Sequence, residues 1–347
     1  MRVSIIGATG ETGQSIIDGL LKSTEPKYGQ DITALTRPAS MQKPEVLDLQ
    51  KKGIHIVAAN LEGPEDALTE ILKGTDVMIS AINAGNLMAQ IPLINASKAA
   101  GVGRFIPCFF ATIVPPKGIL KLRDIKEDVL NHVKKVRLPY TAIDVGWWYQ
   151  ITLPRLASGR IDYATTLVTD GIGGDGNMLS AITDVRDIGT YVARIIADPR
   201  TLNHMVFAYN ELITQNQVYD LLEKMSGEKV KRNHVSCLQL IIAASGLNGQ
   251  QISVEAIKAG VAQMEASNLG PESPEFYELI RFQYWHSWAI RGDNTPEYAK
   301  YLGYLNTKDL YPDIGFISFQ DYVQEVLDGK GKSVYEKSED LKPLKVE

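Results

Sequence analysis

Cysteine is nearly absent from this sequence: Cys108 and Cys237 are the only two in 347 residues. Two thiols build neither a disulfide framework nor a four-thiolate metal centre, so no metal site is expected. An excess of one charge is missing as well. With 36 Lys+Arg against 41 Asp+Glu the formal charge is −5, and no basic run stands out, which removes the footprint of a nucleic-acid binder. Long apolar runs are missing too, since a stretch such as 238–244 falls far short of the roughly 18 residues that span a bilayer. Met1-Arg2 runs straight into a strand-like VSII, and the chain closes on KPLKVE, so neither a secretory leader nor a lipid anchor is expected. The expectation is a reduced, cytoplasmic protein without nucleic-acid or membrane partners. What remains is ordinary globular material, 44% apolar and 22% charged, enough for about two domains.

The first 145 residues alternate two periodicities. Short continuous apolar runs at 3–6, 32–36, 54–58, 77–82, 104–106 and 140–145 read as parallel strands covered on both faces. Helix-like segments at 11–22, 44–52, 64–72, 90–100 and 122–135 separate them. This alternation predicts an α/β fold, a Rossmann-like doubly wound parallel sheet with helices on both faces. After Gly146 the pattern loosens into a Gly-rich stretch, a helix at 185–197, a strand at 205–209, a helix at 215–225 and mostly helical sequence from Ser236 on. The division expected is a dinucleotide-binding domain over 1–155, a smaller α+β substrate domain over 156–335 and a polar tail over 336–347. Segments near 183–210 are expected to return to the first domain.

Gly7-Ala8-Thr9-Gly10-Glu11-Thr12-Gly13 follows the first strand and opens the first helix. Gly7 suits the tight turn, Gly10 lets backbone approach a pyrophosphate, and Gly13 lets helix and strand pack closely. The helix start offers free N–H groups to the phosphates, with Thr9 and Thr12 beside them. With 29 glycines in the chain the pattern alone is weak. Its strand–turn–helix position is what points to a dinucleotide rather than a structural turn. The second strand ends in Leu35-Thr36-Arg37-Pro38, with Lys43 close behind. An acidic residue there accepts a ribose 2′-hydroxyl, whereas an arginine suits a 2′-phosphate, so NADPH is expected over NADH. Ala81, Ile82 and Asn83, after the fourth strand, are expected to line the cofactor.

The usual Tyr-x-x-x-Lys pair of short-chain dehydrogenases is missing from the fifth helix. Tyr304 and Lys308 have the spacing but lie in the C-terminal half, where they read as a chance match. The fifth helix instead carries an apolar stripe of Leu122, Ile125, Val129, Val133 and Val136. At about 100° per residue, Lys126 stands roughly 60° from the stripe's centre, at its edge. From there it either snorkels into solvent or loses solvation near a cofactor and becomes an acid/base group. His132, at the other edge, reads as a partly packed surface residue.

These residues resemble the isoflavone reductase-like branch of the atypical short-chain dehydrogenases, grouped with NmrA-like proteins and nearest to its fungal members. The resemblance runs over nearly the whole chain: GATGETG (7–13), LTRP (35–38), RFIP (104–107), LPYT (138–141), GGDGN (173–177), TDVRDIGTYVARIIADPRTLN (183–203) and LYPD (310–313). It implies an NADPH-binding Rossmann domain, a smaller substrate domain, and reduction of aromatic or phenylpropanoid-like molecules at a carbonyl, conjugated double bond or benzylic ether. A fifth-helix lysine is that family's acid/base group, and counting back from LPYT places it at Lys126. Two departures stand out. Where relatives read PSEFG this chain has Pro107-Cys108-Phe109-Phe110-Ala111, which loses the acidic residue and sets Phe109 against the nicotinamide and Phe110 against the substrate. Gly146 replaces a common Asn ahead of Trp147, Trp148 and Tyr149, whose rings are expected either to stack on a planar substrate or to pack a domain interface. The resemblance thus implies an NADPH-dependent oxidoreductase acting as a monomer or homodimer. The alternative is an NmrA-like NADP(H)-sensing regulator without turnover. An epimerase or dehydratase is disfavoured by the missing Tyr–Lys pair.

Overall fold

The computed structural model describes residues 1–24, 27–28, 31–165, 171–235 and 274–335. Cys237, the apolar run 238–244, the start of the helical stretch expected after Ser236 and the tail 336–347 lie outside the described residues.

Five strands make the central parallel sheet: β1 (Val3–Ile6), β2 (Ile32–Thr36), β3 (His55–Ala58), β4 (Val77–Ser80) and β5 (Arg104–Ile106), in the order β3-β2-β1-β4-β5. Successive residues on each strand serve opposite faces, as pleating demands. Val3, Ile5, Val77, Ile79 and Ile106 enter one core, whereas Ile6, Leu35, Met78 and Phe105 enter the other. The helices between them are α1 (Glu11–Lys22), α2 (Pro44–Lys51), α3 (Glu65–Leu72), α4 (Gln90–Ala99) and α5 (Lys121–Lys135). α1 begins with Glu11 and ends with Lys22, charges that suit its dipole. The strand order reverses between β1 and β4, so their carboxyl ends open the crevice where such sheets hold ligands.

The sheet continues past β5. A bridge from Phe105 to Tyr140 leads to β6 (Thr141–Asp144), and β6 pairs in parallel with β10 (His204–Phe207), which pairs in parallel with β13 (Leu305–Asn306). The helix α6 (Ile188–Ile195) crosses α1 at two glycines. A Cβ on Gly189 would stand 1.8 Å from the Ser15 carbonyl oxygen, and one on Gly19 would stand 2.1 Å from Gly189, so only glycine lets these helices approach.

A smaller layer holds β7 (Trp147–Trp148), β9 (Ser180–Thr183) and β11 (Glu211–Ile213) in the order β11-β9-β7, with β8 (Ile172–Gly173) paired to β12 (His234–Val235). α7 (Gln215–Ser226) packs on it, started by a Thr214–Gln217 capping box and closed by Gly227 at φ +74°. The chain then returns through the helix Pro274–Trp285, a π-helical turn His286–Arg291 and the helices Pro296–Tyr301, Thr307–Leu310 and Phe319–Leu327. Among the described residues no helix is long and apolar enough to cross a membrane.

Candidate active site

The glycine turn is built as the sequence arithmetic requires. Gly7 has φ +81°, and a Cβ there would lie 2.3 Å from the Ala81 carbonyl oxygen, so the turn presses against the end of β4. A Cβ on Gly13 would lie 2.1 Å from the Gly7 carbonyl oxygen, which sets α1 hard against the turn. Gly10 is exposed and no side chain caps α1, so its leading amides face outward. Thr9 and Thr12 are half-buried beside them, and the Thr9 carbonyl accepts from the Gln14 amide at 2.6 Å. Arg37 and Lys43 are exposed at the end of β2, and neither meets a carboxylate among the described residues. Asn83 is exposed and accepts from Asn86 at 2.9 Å.

From this turn a line of contacts runs along the carboxyl edge of the sheet. Gly7 abuts Ala81, the next carbonyl, of Ile82, accepts from the Cys108 thiol at 3.1 Å, and Cys108 stands beside Lys126. The Lys126 ammonium donates to the Phe109 carbonyl. It does not snorkel: Lys126 is only 6% exposed. The buried face of α5 comprises Leu122, Arg123, Lys126, Glu127, Val129, Leu130 and Val133. At about 100° per residue that face is centred within about 10° of Lys126, so the lysine is its middle and not its edge. Burial holds the Lys126 ammonium below the usual lysine range, Cys108 and Asp144 pull it back up, and Arg123 pushes it down. Burial raises the Cys108 thiol, against the pull of the Lys126 charge.

The segment Pro107–Ala111 folds sharply to make this meeting. Phe110 takes φ +36°, a left-handed value that costs a non-glycine residue about 1 kcal/mol or more, and its amide is held by the Ile143 carbonyl at 2.8 Å. The two phenyl rings part. Phe110 joins the main core with Cys108, whereas the Phe109 ring is sealed among Leu130 and Ala142, leaving its carbonyl as the group that meets Lys126.

Behind Lys126 lies a cluster that periodicity did not reveal. Arg123 donates from Nε to Glu127 at 2.8 Å, from Nη1 to Asp144 Oδ2 at 2.8 Å and from Nη2 to the Tyr304 hydroxyl at 2.6 Å. Tyr304 in turn donates to Asp144 Oδ2 at 2.7 Å. Tyr304 therefore reaches the site without its spacing partner, because the Lys308 ammonium lies instead 3.8 Å from the centre of the Phe316 ring. The RxxKE spacing at 123–127 was the available signal, since i, i+3 and i+4 share a helix face.

The three aromatic residues after β6 go three ways. Trp147 packs against Tyr284 at 5.4 Å and Trp288 at 5.5 Å. It lines a small cleft with Trp288, Ile182, Ile213, Val218 and Tyr219. Burial and the charge of Asp144 raise the Tyr284 hydroxyl, which ties this wall to the Lys126 cluster. Trp148 is buried and stacks on Tyr335 at 5.7 Å. Tyr149 has no exposed surface and donates to Glu211 at 3.0 Å and to the Ile317 carbonyl at 3.2 Å. The structure does not bring Tyr149 to the cleft, because its ring packs on Phe319 and Tyr322 in the core of the smaller layer. The end of the described chain closes on the glycine turn: Lys332 pairs with Glu11 at 3.4 Å, and the Tyr335 amide donates to Glu11 at 3.4 Å.

The profile of the NmrA-like family matches residues 1–245. The chain belongs to that family. This NmrA-like chain is 46% identical over 333 residues to the asnovolin J 5′,6′-dehydrogenase of Aspergillus novofumigatus, covering 95% of this chain and 96% of that protein. It is 26% identical over 340 residues to an isoflavone reductase-like protein of Olea europaea, covering 93% and 98%. Its fold is that of the leucoanthocyanidin reductase–NADPH complex of Vitis vinifera, with a TM-score of 0.74 at 23% identity over 94% of this chain and 100% of that one.

Proposed function

We propose that the protein is an NADPH-dependent oxidoreductase of a small, largely apolar, aromatic or polyketide-like molecule, reacting at a carbonyl or conjugated carbon. The observation that carries this reading is Lys126, a buried ammonium held at the Phe109 carbonyl at the end of the line that starts from the glycine turn. The turn fits the cofactor, since Gly7 leaves no room for a side chain and α1 starts without a side-chain cap. When bound, NADPH supplies the hydride. Gly7, Thr9, Gly10 and Thr12 would hold its pyrophosphate, with Gly13 letting α1 pack close, Arg37 and Lys43 would hold its 2′-phosphate, and Ala81, Ile82 and Asn83 its nicotinamide end, which the sealed Phe109 serves only through the carbonyl that holds Lys126. Lys126 gives a proton to the oxygen that develops charge, and its lowered proton affinity eases that transfer. Trp147 faces the substrate, while Phe110 and Trp148, packed in the main core, support the site from behind and Tyr149 serves the core of the smaller layer.

On this reading residues 1–155, with the returning strand 204–207, hold the cofactor, and residues 156–335 cover the substrate. The protein works in the cytoplasm as a monomer or homodimer. Because the fungal relative is named a dehydrogenase and the olive relative an isoflavone reductase-like protein, the assay runs in both directions across quinones, enones and aryl ketones. Lys126→Ala is expected to bind NADPH as the wild type does and to lose about 10²–10⁴ in turnover. Turnover at the wild-type rate overturns the assignment. A second reading, a dinucleotide-sensing regulator, draws support from Pro107–Ala111, which lacks the acidic residue of reductases. Tight NADPH binding with silence across the panel selects it.

A further inference from the structure

We infer that Arg123, Asp144 and Tyr304 form a positioning device for Lys126, in which Asp144 is the counter-charge that keeps the lysine ready to donate and Arg123 is the opposing charge that limits it. The inference rests on the assignment of Lys126 above and deepens it.

The geometry is unusual for a structural ion pair. Asp144 has no exposed surface at the end of β6, yet both its hydrogen bonds fall on Oδ2 and Oδ1 has no partner among the described residues. A buried carboxylate oxygen without a partner costs free energy, which an arginine fork on both oxygens would avoid. Arg123 divides its fork among Glu127, Asp144 and Tyr304 instead. The same guanidinium stands 4.8 Å from the centre of the Phe109 ring, and the Phe109 carbonyl is the acceptor of Lys126. One buried cluster thus fixes both the residue that holds the ammonium and the charges that surround it. Two cations, Arg123 and Lys126, face two anions, Asp144 and Glu127, within two turns of α5 and the end of β6. The other titratable groups around Lys126 are Cys108, after β5, and the Tyr284 and Tyr304 hydroxyls from the C-terminal half. Each of these hydroxyls is pushed up by burial and by Asp144, so both stay neutral in the working pH range.

The test is a sign test. An acid must be protonated to work, so activity falls as pH rises through its pKa. Asp144→Asn removes the charge that raises Lys126 and leaves Arg123 in place, so the falling limb of kcat/KM moves to lower pH by about one unit or more. Arg123→Gln removes the opposing charge and moves the limb to higher pH. The probe is benzylideneacetone, or whichever member of the panel is turned over, at saturating NADPH, with NADPH Kd measured separately by fluorescence. A merely structural role lowers activity equally at every pH, so limbs that stay put, or move in the same direction, overturn the inference. Breaking a buried pair can unfold a protein. Tyr304→Phe keeps both charges and removes only the hydroxyl that ties them. It is expected to lose about tenfold in kcat with NADPH Kd unchanged, and a wild-type kcat for a folded Tyr304→Phe protein overturns the inference too. A wild-type chain that binds no NADPH, or a Lys126→Ala chain with full turnover, strikes the assignment of Lys126 instead.

Discussion

Arg37 stands alone at the end of β2, exposed and without a carboxylate among the described residues, as a phosphate-reading arginine must be. Arg37→Ala is therefore expected to weaken NADPH by about tenfold and to leave NADH unchanged, because only the 2′-phosphate meets the guanidinium. Titration of both cofactors checks it, and an equal loss for each contradicts it. Asp187 offers a second residue-level expectation. It is buried, and both the Asn210 amide at 2.6 Å and the Ile317 amide at 2.9 Å donate to its Oδ2. Burial raises its carboxyl from 3.8 to about 6 despite those two donors. The folded chain therefore keeps a proton that the unfolded chain has released. Its contribution to stability is full below about pH 4 and is lost as pH rises through about 6. Asp187→Asn mimics the protonated form and keeps the acceptor, so its urea midpoint is expected to vary less between pH 4 and 6.5 than the wild type does. These residues differ in how legible they are. Arg37 announces itself by following a strand end, whereas nothing near Asp187 in sequence foretells Ile317.

The elements of the first half follow the sequence closely. β1, β2, β5 and α1 fall on the residues that the apolar runs and the glycine turn pick out, because their cores are filled by local, unmixed apolar segments. α5 is where periodicity misleads. A stripe drawn through apolar residues alone omits Arg123 and Glu127, whose burial depends on Asp144 and Tyr304, residues 21 and 181 positions away from Arg123. Long-range pairing of charge has no local signature. The α1–α6 crossing is hidden for a different reason, since a glycine within a helix looks like a weak helix former until the neighbour is known. Gly189→Ala puts a methyl group 1.8 Å from the Ser15 carbonyl oxygen. It is expected to cost about 3 kcal/mol, the upper end for overpacking, read as a lower urea midpoint with an unchanged slope. A wild-type midpoint shows that the helices separate freely.

At the scale of the molecule, the parallel sheet and the family are what the alternating pattern and the quoted motifs imply. The sheet reaches further than the first 145 residues, because β10 and β13 from the C-terminal half pair beyond β6. The site likewise draws on distant chain, with Glu11, Cys108, Trp148 and Tyr335 around one crevice. A ligand bound there is expected to stabilise the whole fold. At a hundredfold excess over its Kd, NADPH adds about 2.7 kcal/mol, seen as a melting point several degrees higher, while NADH at the same concentration gives a smaller rise. Equal rises count against the 2′-phosphate reading.

The pairing of Lys332 with Glu11 joins residues 321 positions apart, nearly the two ends of the chain. A ribosome delivers Glu11 first and Lys332 last, and domains fold as they emerge. Strands β1 to β5 are out once residue 106 is made, and β6, β10 and β13 extend that sheet later, all before the glycine turn can receive its cover. The contact that closes the glycine turn thus waits until every strand beneath it, β13 included, has been made.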